Sequence, residues 1–154
     1  MSRKSQFSKE VINRMQVKLP ALSVNEAMAR AAVAAFVSQL DPDVTEIADI
    51  KCAVSEAVTN AIVHGYPDRL GMVTLTVKLF ENGKIQVQVK DKGRGIPDVD
   101  KAMEPLFTTG GEERSGLGFS VMESFTDRLR VRSAEGKGTT VTLEKYIAPR
   151  VKSR

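Results

Sequence analysis

The stretch VTEIADIKCAVSEAVTNAIVHGY (44–66) governs the fold. Within it Ile50, Ala53, Val54, Ala57, Val58, Ala61 and Ile62 fall at i, i+3, i+4, i+7, i+8, i+11 and i+12. That spacing lines one side of an α-helix with apolar groups for more than three turns. Gly65 ends the pattern, and Tyr66-Pro67-Asp68 reads as the exit turn. A stripe this complete needs an apolar surface to lie on, and the flanking sequence supplies one.

Upstream, RMQVKL (14–19) alternates as a strand ended by Pro20. Ser23 followed by Glu26 reads as a capping box. It opens a helix over 24–39 whose buried face is expected to carry Met28, Ala32, Val33, Phe36 and Val37. Asp41-Pro42-Asp43 then breaks and restarts the chain. Downstream, MVTLTVKLF (72–80) and KIQVQVK (84–90) alternate as strands, and Asn82-Gly83 between them is a hairpin signal. Residues 91–118 are glycine-rich and read mostly as loop, with a short helix near 98–104. A further helix starts at 115–119 and runs to about 127, and strands at 128–133 and 139–146 flank the turn at 135–138. The pattern contains no repeat and no linker. It predicts a single domain over 13–148, between a polar arm (1–12) and a basic tail (149–154). The fold class expected is α+β, a two-layer α/β sandwich with helices on one face of a mixed sheet.

The 154 residues are 42% apolar, enough for a core without staples. Cys52 stands alone, so no internal disulfide forms, and on its helix it reads as a buried or half-buried thiol. No apolar run reaches the length of a membrane helix, and the first twenty residues lack the apolar core of a signal peptide. A cytoplasmic location is expected. The net charge is +4, but basic residues crowd the ends, at Arg3, Lys4, Lys9, Lys145, Arg150, Lys152 and Arg154, as solvated tails do. Trp is absent and Tyr occurs twice, a poor supply for stacking bases. Neither a direct nucleic-acid partner nor a membrane is expected.

Several short patterns could carry chemistry. Glu56, Asn60 and His64 recur every four residues, forming a row at the border of the helix stripe. A carboxylate there can serve as a base, and an amide oxygen suits Mg²⁺, which prefers oxygen ligands and brings its own waters. A solvated helix edge is the plain alternative. Asp91-Lys92-Gly93-Arg94-Gly95 follows a strand: the carboxylate can accept from a base amino group, and glycines let the backbone approach a flat ligand. An ordinary turn would also use Asp and Gly. Ser115-Gly116-Leu117-Gly118-Phe119 stands at a helix start, where free N–H groups favour anions, and 107–114 ahead of it reads as a lid. Gly138-Thr139-Thr140 opens the last strand. A P-loop and a dinucleotide fingerprint are excluded by the glycine spacing. One His and one Cys make a zinc site or a Cys–His pair a poor reading.

Taken in order, these pieces resemble the GHKL ATPase superfamily. There a Glu-x-x-x-Asn helix precedes Asp-x-Gly-x-Gly, a glycine-bearing lid and a closing Gly-Thr. SEAVTNAIVHGY (55–66), PLFTT (105–109), ERSGLGFSVMESF (113–125), GTTVTL (138–143) and NEAMARAAVAAFVSQLDP (25–42) are similar to the anti-sigma F factors of spore-forming Bacillus relatives. The resemblance spans roughly 14–148. It implies a Bergerat-type fold, ATP/ADP and Mg²⁺ as cofactors, and a homodimer. It also implies two activities, sequestration of a sigma F-like factor and phosphorylation of a serine on an anti-anti-sigma factor. By the same resemblance Glu56 is the catalytic base, Asn60 holds Mg²⁺, and Asp91 binds the adenine amino group on a wall shaped by Gly93 and Gly95. Gly116, Leu117 and Gly118 offer amides to the phosphates, Arg114 lies at the lid and Thr139 closes the adenine side. Arg30 contacts both protein partners. The chain departs from the pattern in a longer arm before residue 11, a shorter turn after Gly65, a shorter lid at 110–112, and Arg94 between the two glycines. A histidine-kinase domain would need a helical hairpin bearing a phosphoacceptor His, which is missing. A stress-response anti-sigma kinase of the same fold is the nearer alternative. A catalytically silent, ATP-dependent protein-binding module is the other, opposed by the presence of Glu56 and Asn60.

Overall fold

The computed structural model describes residues 10–104 and 118–148. In chain order they form β1 (Val11–Pro20), α1 (Asn25–Val37) with a 3₁₀ turn at Ser38–Leu40, and α2 (Val44–Thr59), which continues into a π-helical turn at Asn60–Gly65. Then come β2 (Met72–Phe80), β3 (Lys84–Asp91), α3 (Val99–Met103), α4 (Phe119–Ser124), β4 (Arg128–Ala134) and β5 (Gly138–Tyr146).

Every residue of the α2 stripe is buried, from Ile50 to Ile62. Asp43 caps the helix: its side chain accepts from the Glu46 N–H while the Glu46 carboxylate accepts from the Asp43 N–H, so two orphan donors of the first turn are satisfied. The capping box expected at Ser23/Glu26 does not form. α1 starts after Val24 without a side-chain cap, because the Glu26 carboxylate is turned to Ser55 and Arg30 instead. The buried face of α1 is Ala29, Val33 and Val37, while Met28 is 58% exposed. The expected stripe was thus misplaced by one residue at its start. α1 packs chiefly on α2, and a close helix–helix approach takes the small Ala29 rather than the larger Met28.

The sheet order is β1-β2-β3-β5-β4. The two-layer arrangement is as expected. Within the sheet, expected to be mixed, all four described pairings are antiparallel. The connections explain this. Two helices between β1 and β2 carry the chain across and back, so β2 returns against β1. β3 and β4 do run the same way, but β5 lies between them.

Alternation then sorts the side chains. Val73, Leu75, Val77, Leu79, Ile85, Val87, Val89, Val141 and Leu143 are buried in one cluster with the α2 stripe. The opposite positions form rows across five strands: Lys18–Thr74–Lys90–Thr140–Arg132, Gln16–Thr76–Gln88–Thr142–Arg130 and Arg14–Lys78–Gln86–Glu144–Arg128. Cations that look scattered along the sequence therefore share one open, polar face, a gathering that a two-residue period produces.

Candidate functional site

The pocket forms where α2 crosses the ends of β3 and β5. Asp91 and Thr139 lie opposite one another in the β3–β5 register. Both keep the parity of the core-facing residues, so both point toward α2. The α2 helix meets them through its π-helical turn, which buries Asn60, Ala61, Ile62 and Gly65. Such turns insert one extra residue per turn and recur at functional sites. The strict four-residue row of Glu56, Asn60 and His64 therefore holds only as far as Asn60. His64 still reaches the pocket wall.

Asn60, Asp91, Gly95 and Thr139 line a single cavity, with Val89, Ile96, Phe119 and Val141 as its apolar walls. Those walls were not anticipated as site residues, although the sequence carries a signal for two of them. Val89 stands two residues before Asp91 and Val141 two after Thr139, on the same strand face. Gly93 is buried behind the cavity, where a Cβ would overlap the carbonyl oxygen of Gly65. Only glycine allows the loop and the π-helical turn to touch.

The loop after Asp91 is pinned donor by donor. Lys92 N–H donates to Tyr66 Oη at 2.7 Å, and Gly93 N–H to Asp91 Oδ1 at 2.9 Å. Arg94 N–H donates to Gly65 O at 2.9 Å, and Ile96 N–H to Ser133 Oγ at 2.7 Å. The Ser133 hydroxyl also lies 2.8 Å from Thr139 Oγ1. Ser133 and Tyr66 are thus supporting residues that sequence reading missed. They are common types; the sheet order brings Ser133 here, and the end of the π-helical turn brings Tyr66. Burial pushes the Asp91 carboxyl above its ordinary value, opposed by hydrogen bonds from the Gly93 and Thr139 backbone. A desolvated acceptor of this kind binds a flat amino-bearing ring better than water does.

Glu56 lies one turn before Asn60, outside that cavity. It lines a neighbouring groove with Arg30, Ile47, Cys52, Ser55 and Val121. Its carboxylate rests against Gly118, where a Cβ would overlap Oε1, and Gly118 has the left-handed φ of +65°. Gly118 thus opens α4 beside the carboxylate. Cys52, expected to be at least half buried, is exposed, since it falls off the stripe and on the groove side. Arg30 lies off the buried face of α1 and is half-buried: Nη1 donates to Ser55 Oγ at 3.2 Å and lies 3.4 Å from Glu26 Oε2. Arg114, Gly116 and Leu117 lie outside the described residues.

The donor set fits the expected cofactors. Asp91, Thr139 and the apolar walls suit a purine, and Asn60 offers an amide oxygen at the pocket floor. Among the described residues no three His, Cys, Asp or Glu side chains converge as a metal site. A magnesium ion here would therefore rest on Asn60 together with phosphate oxygens and water.

The comparisons agree with this geometry. A family model described as histidine kinase-like ATPase domain matches residues 19–145. An anti-sigma F factor of Caldanaerobacter subterraneus subsp. tengcongensis is 54% identical over 139 residues, 90% of this chain and 96% of that one. One from Clostridium acetobutylicum is 50% identical over 137 residues, 88% of this chain and 95% of its own. Among solved structures, the RsbU and RsbW domains of Rv1364c from Mycobacterium tuberculosis align with a TM-score of 0.67 at 22% identity, over 91% of this chain and 34% of that one. The mycobacterial sensor histidine kinase MprB aligns at 0.53 and 17% identity, over 88% and 100%. These two show the shared fold. With a pocket built from a Glu-x-x-x-Asn helix and an Asp-x-Gly-x-Gly strand end, and with relatives this similar along nearly their whole length, the chain belongs to the anti-sigma F factor family of histidine kinase-like ATPase domains.

Proposed function

We propose that this protein is an anti-sigma factor that sequesters a sigma F-like factor and, using Mg-ATP, phosphorylates a serine of an anti-anti-sigma factor. It acts as a cytoplasmic homodimer. The observation that carries the reading is the position of Glu56. Its carboxylate lines the outer groove that Arg30 shares and rests against Gly118, one turn before Asn60 of the nucleotide pocket, where a base can meet both a phosphate and an incoming protein hydroxyl.

Bound Mg-ATP supplies the transferable phosphoryl group and a metal that offsets its charge. The chain supplies positioning. Asp91 and the walls around it hold the base, Asn60 holds the metal, and Gly118 with the segment before it offers backbone donors to the phosphates. Glu56 would accept the proton of the serine hydroxyl as the serine oxygen bonds to the terminal phosphorus and the bond from that phosphorus to the ADP oxygen breaks, with ADP leaving, a role typically worth ~10²–10⁴-fold. Arg30, on the same groove, makes a charge-assisted contact with an acidic residue of either protein partner. Incubation with labelled ATP and an anti-anti-sigma protein, followed by phosphosite mapping, tests this: label on one serine of the partner is expected. Transfer to histidine, or ATP turnover without any protein label, overturns it.

A further inference from the structure

Arg30 does not swing freely from α1. Its Nη1 is shared between Ser55 Oγ, 3.2 Å away, and Glu26 Oε2 at 3.4 Å. The Ser55 hydroxyl in turn donates to that same carboxylate oxygen. The three groups close a ring that joins the first turn of α1 to α2, one residue before Glu56. Glu26 and Arg30 are spaced i, i+4, and their side chains are 22% and 39% exposed. A half-solvated pair of this sort adds little to stability. What the ring does change is orientation. An unrestrained arginine gives up much rotamer freedom when a partner captures it, whereas this guanidinium is already held from behind. Nη1 makes both contacts of the ring, so among the described residues Nη2 and Nε remain as donors of the planar fork.

We propose that Glu26 is a positioning residue. With Ser55 it presets the Arg30 guanidinium at the mouth of the groove leading to Glu56, ready for a carboxylate on a protein partner. This rests on the reading of Arg30 as the partner contact.

The proposal has a sign that charge alone would reverse. As a bare anion beside the docking point, Glu26 repels an acidic partner, and neutralising it tightens the complex. As a support for Arg30, neutralising it loosens the complex. The test is calorimetry of the full-length chain with Mg-ATP against an F-type sigma factor and against its anti-anti-sigma protein. Wild type is compared with E26Q, S55A, R30A and the E26Q/R30A double variant. E26Q and S55A are each expected to weaken both complexes by roughly five- to tenfold, and R30A by more. The double variant should bind no worse than R30A alone, because the support has nothing left to hold. ATP affinity and the thermal midpoint should stay at wild-type values.

If E26Q leaves or tightens binding while R30A weakens it, the positioning role is refuted and the Arg30 contact stands. An equal loss from E26Q in the wild-type and R30A backgrounds refutes it too, since Glu26 then acts by itself. Wild-type affinity in R30A instead removes the underlying reading of Arg30. Should E26Q lower the thermal midpoint, S55A, which keeps both charges, decides the matter: weaker binding supports the positioning role, and unchanged binding refutes it.

Discussion

On one side of α2 the loop from Asp91 to Ile96 has its backbone donors at 92, 93, 94 and 96 each fixed by a partner. On the other side, among the described residues, Arg30 is held by Glu26 and Ser55, side chains that water can reach. A small rigid ligand rewards the first arrangement, because a preformed pocket spends no binding energy on ordering itself. At a groove open to water the same saving comes from neighbouring side chains that hold the contact group in place. Glu56 lines the groove on the Arg30 side, one turn before Asn60 of the pocket.

Four changes would probe that contrast. Glu56→Gln should have the largest effect, a loss of phosphoryl transfer of ~10²–10⁴-fold, with sigma-factor binding largely kept, since the base is needed only when the serine reacts. Rapid-quench kinetics alongside calorimetry checks both halves, and transfer at near wild-type rate would remove Glu56 as the base. Arg30→Ala should weaken both protein complexes by ~2 kcal/mol, which is roughly 30-fold, and leave ATP affinity alone. A pull-down in which both partners bind normally would contradict it.

Asn60→Ala should lower ATP affinity by about tenfold only when Mg²⁺ is present. Titrations with and without the metal settle this, and equal affinity under both conditions for both proteins would exclude Asn60 as the ligand. The smallest effect is on stability. The Asp91 carboxyl is raised above 3.8 by burial, so the native state holds its proton over a pH window in which the unfolded chain has lost it. Stability from this group is therefore present below 3.8 and falls as pH rises through the raised value. Urea denaturation of the apo protein should show wild type losing ground to Asp91→Asn as pH rises through that window. A constant difference would mean that Asp91 is not desolvated. Glu144, on the open face, behaves in the opposite sense. Burial raises it, but the Gln86 hydrogen bond and Lys84 outweigh that and hold it below 4.5.

Much of this architecture is legible in the sequence, element by element. The α2 stripe, the Asn82-Gly83 hairpin and the alternation of 72–80 and 84–90 are set by local rules, because side-chain period follows directly from backbone geometry. Glu56, Asn60, Asp91, Gly93, Gly95, Gly118 and Thr139 are ordinary types in their local settings, and they were singled out by the order of the motifs and the family resemblance that order carries. Where local rules compete, the reading slipped. Glu26 looked like the second half of a capping box, but Ser55 and Arg30, distant or on the next turn, offered its carboxylate stronger partners. Met28 looked like core, but α2 approaches too closely for it.

The rest came from the way the elements assemble. That Asp91 faces Thr139 follows from β5 pairing with β3, 48 residues away in register, and no periodicity announces which strands will be neighbours. Ser133 supports the pocket loop because β4 pairs with β5, and Tyr66 because the π-helical turn ends beside that loop. The π-helical turn at Asn60–Gly65 appears only when the helix must reach both the sheet ends and the cavity. The basic open face is the clearest case. Its cations come from four strands, Arg14 and Lys18 on β1, Lys78 on β2, Lys90 on β3 and Arg128, Arg130 and Arg132 on β4, and only the sheet register makes them one surface. Side-chain type and local spacing were enough to say which residues could do chemistry and which faces must be buried. Which residues meet depended on long-range pairing, where many contacts are weighed together and no single stretch of chain carries the answer.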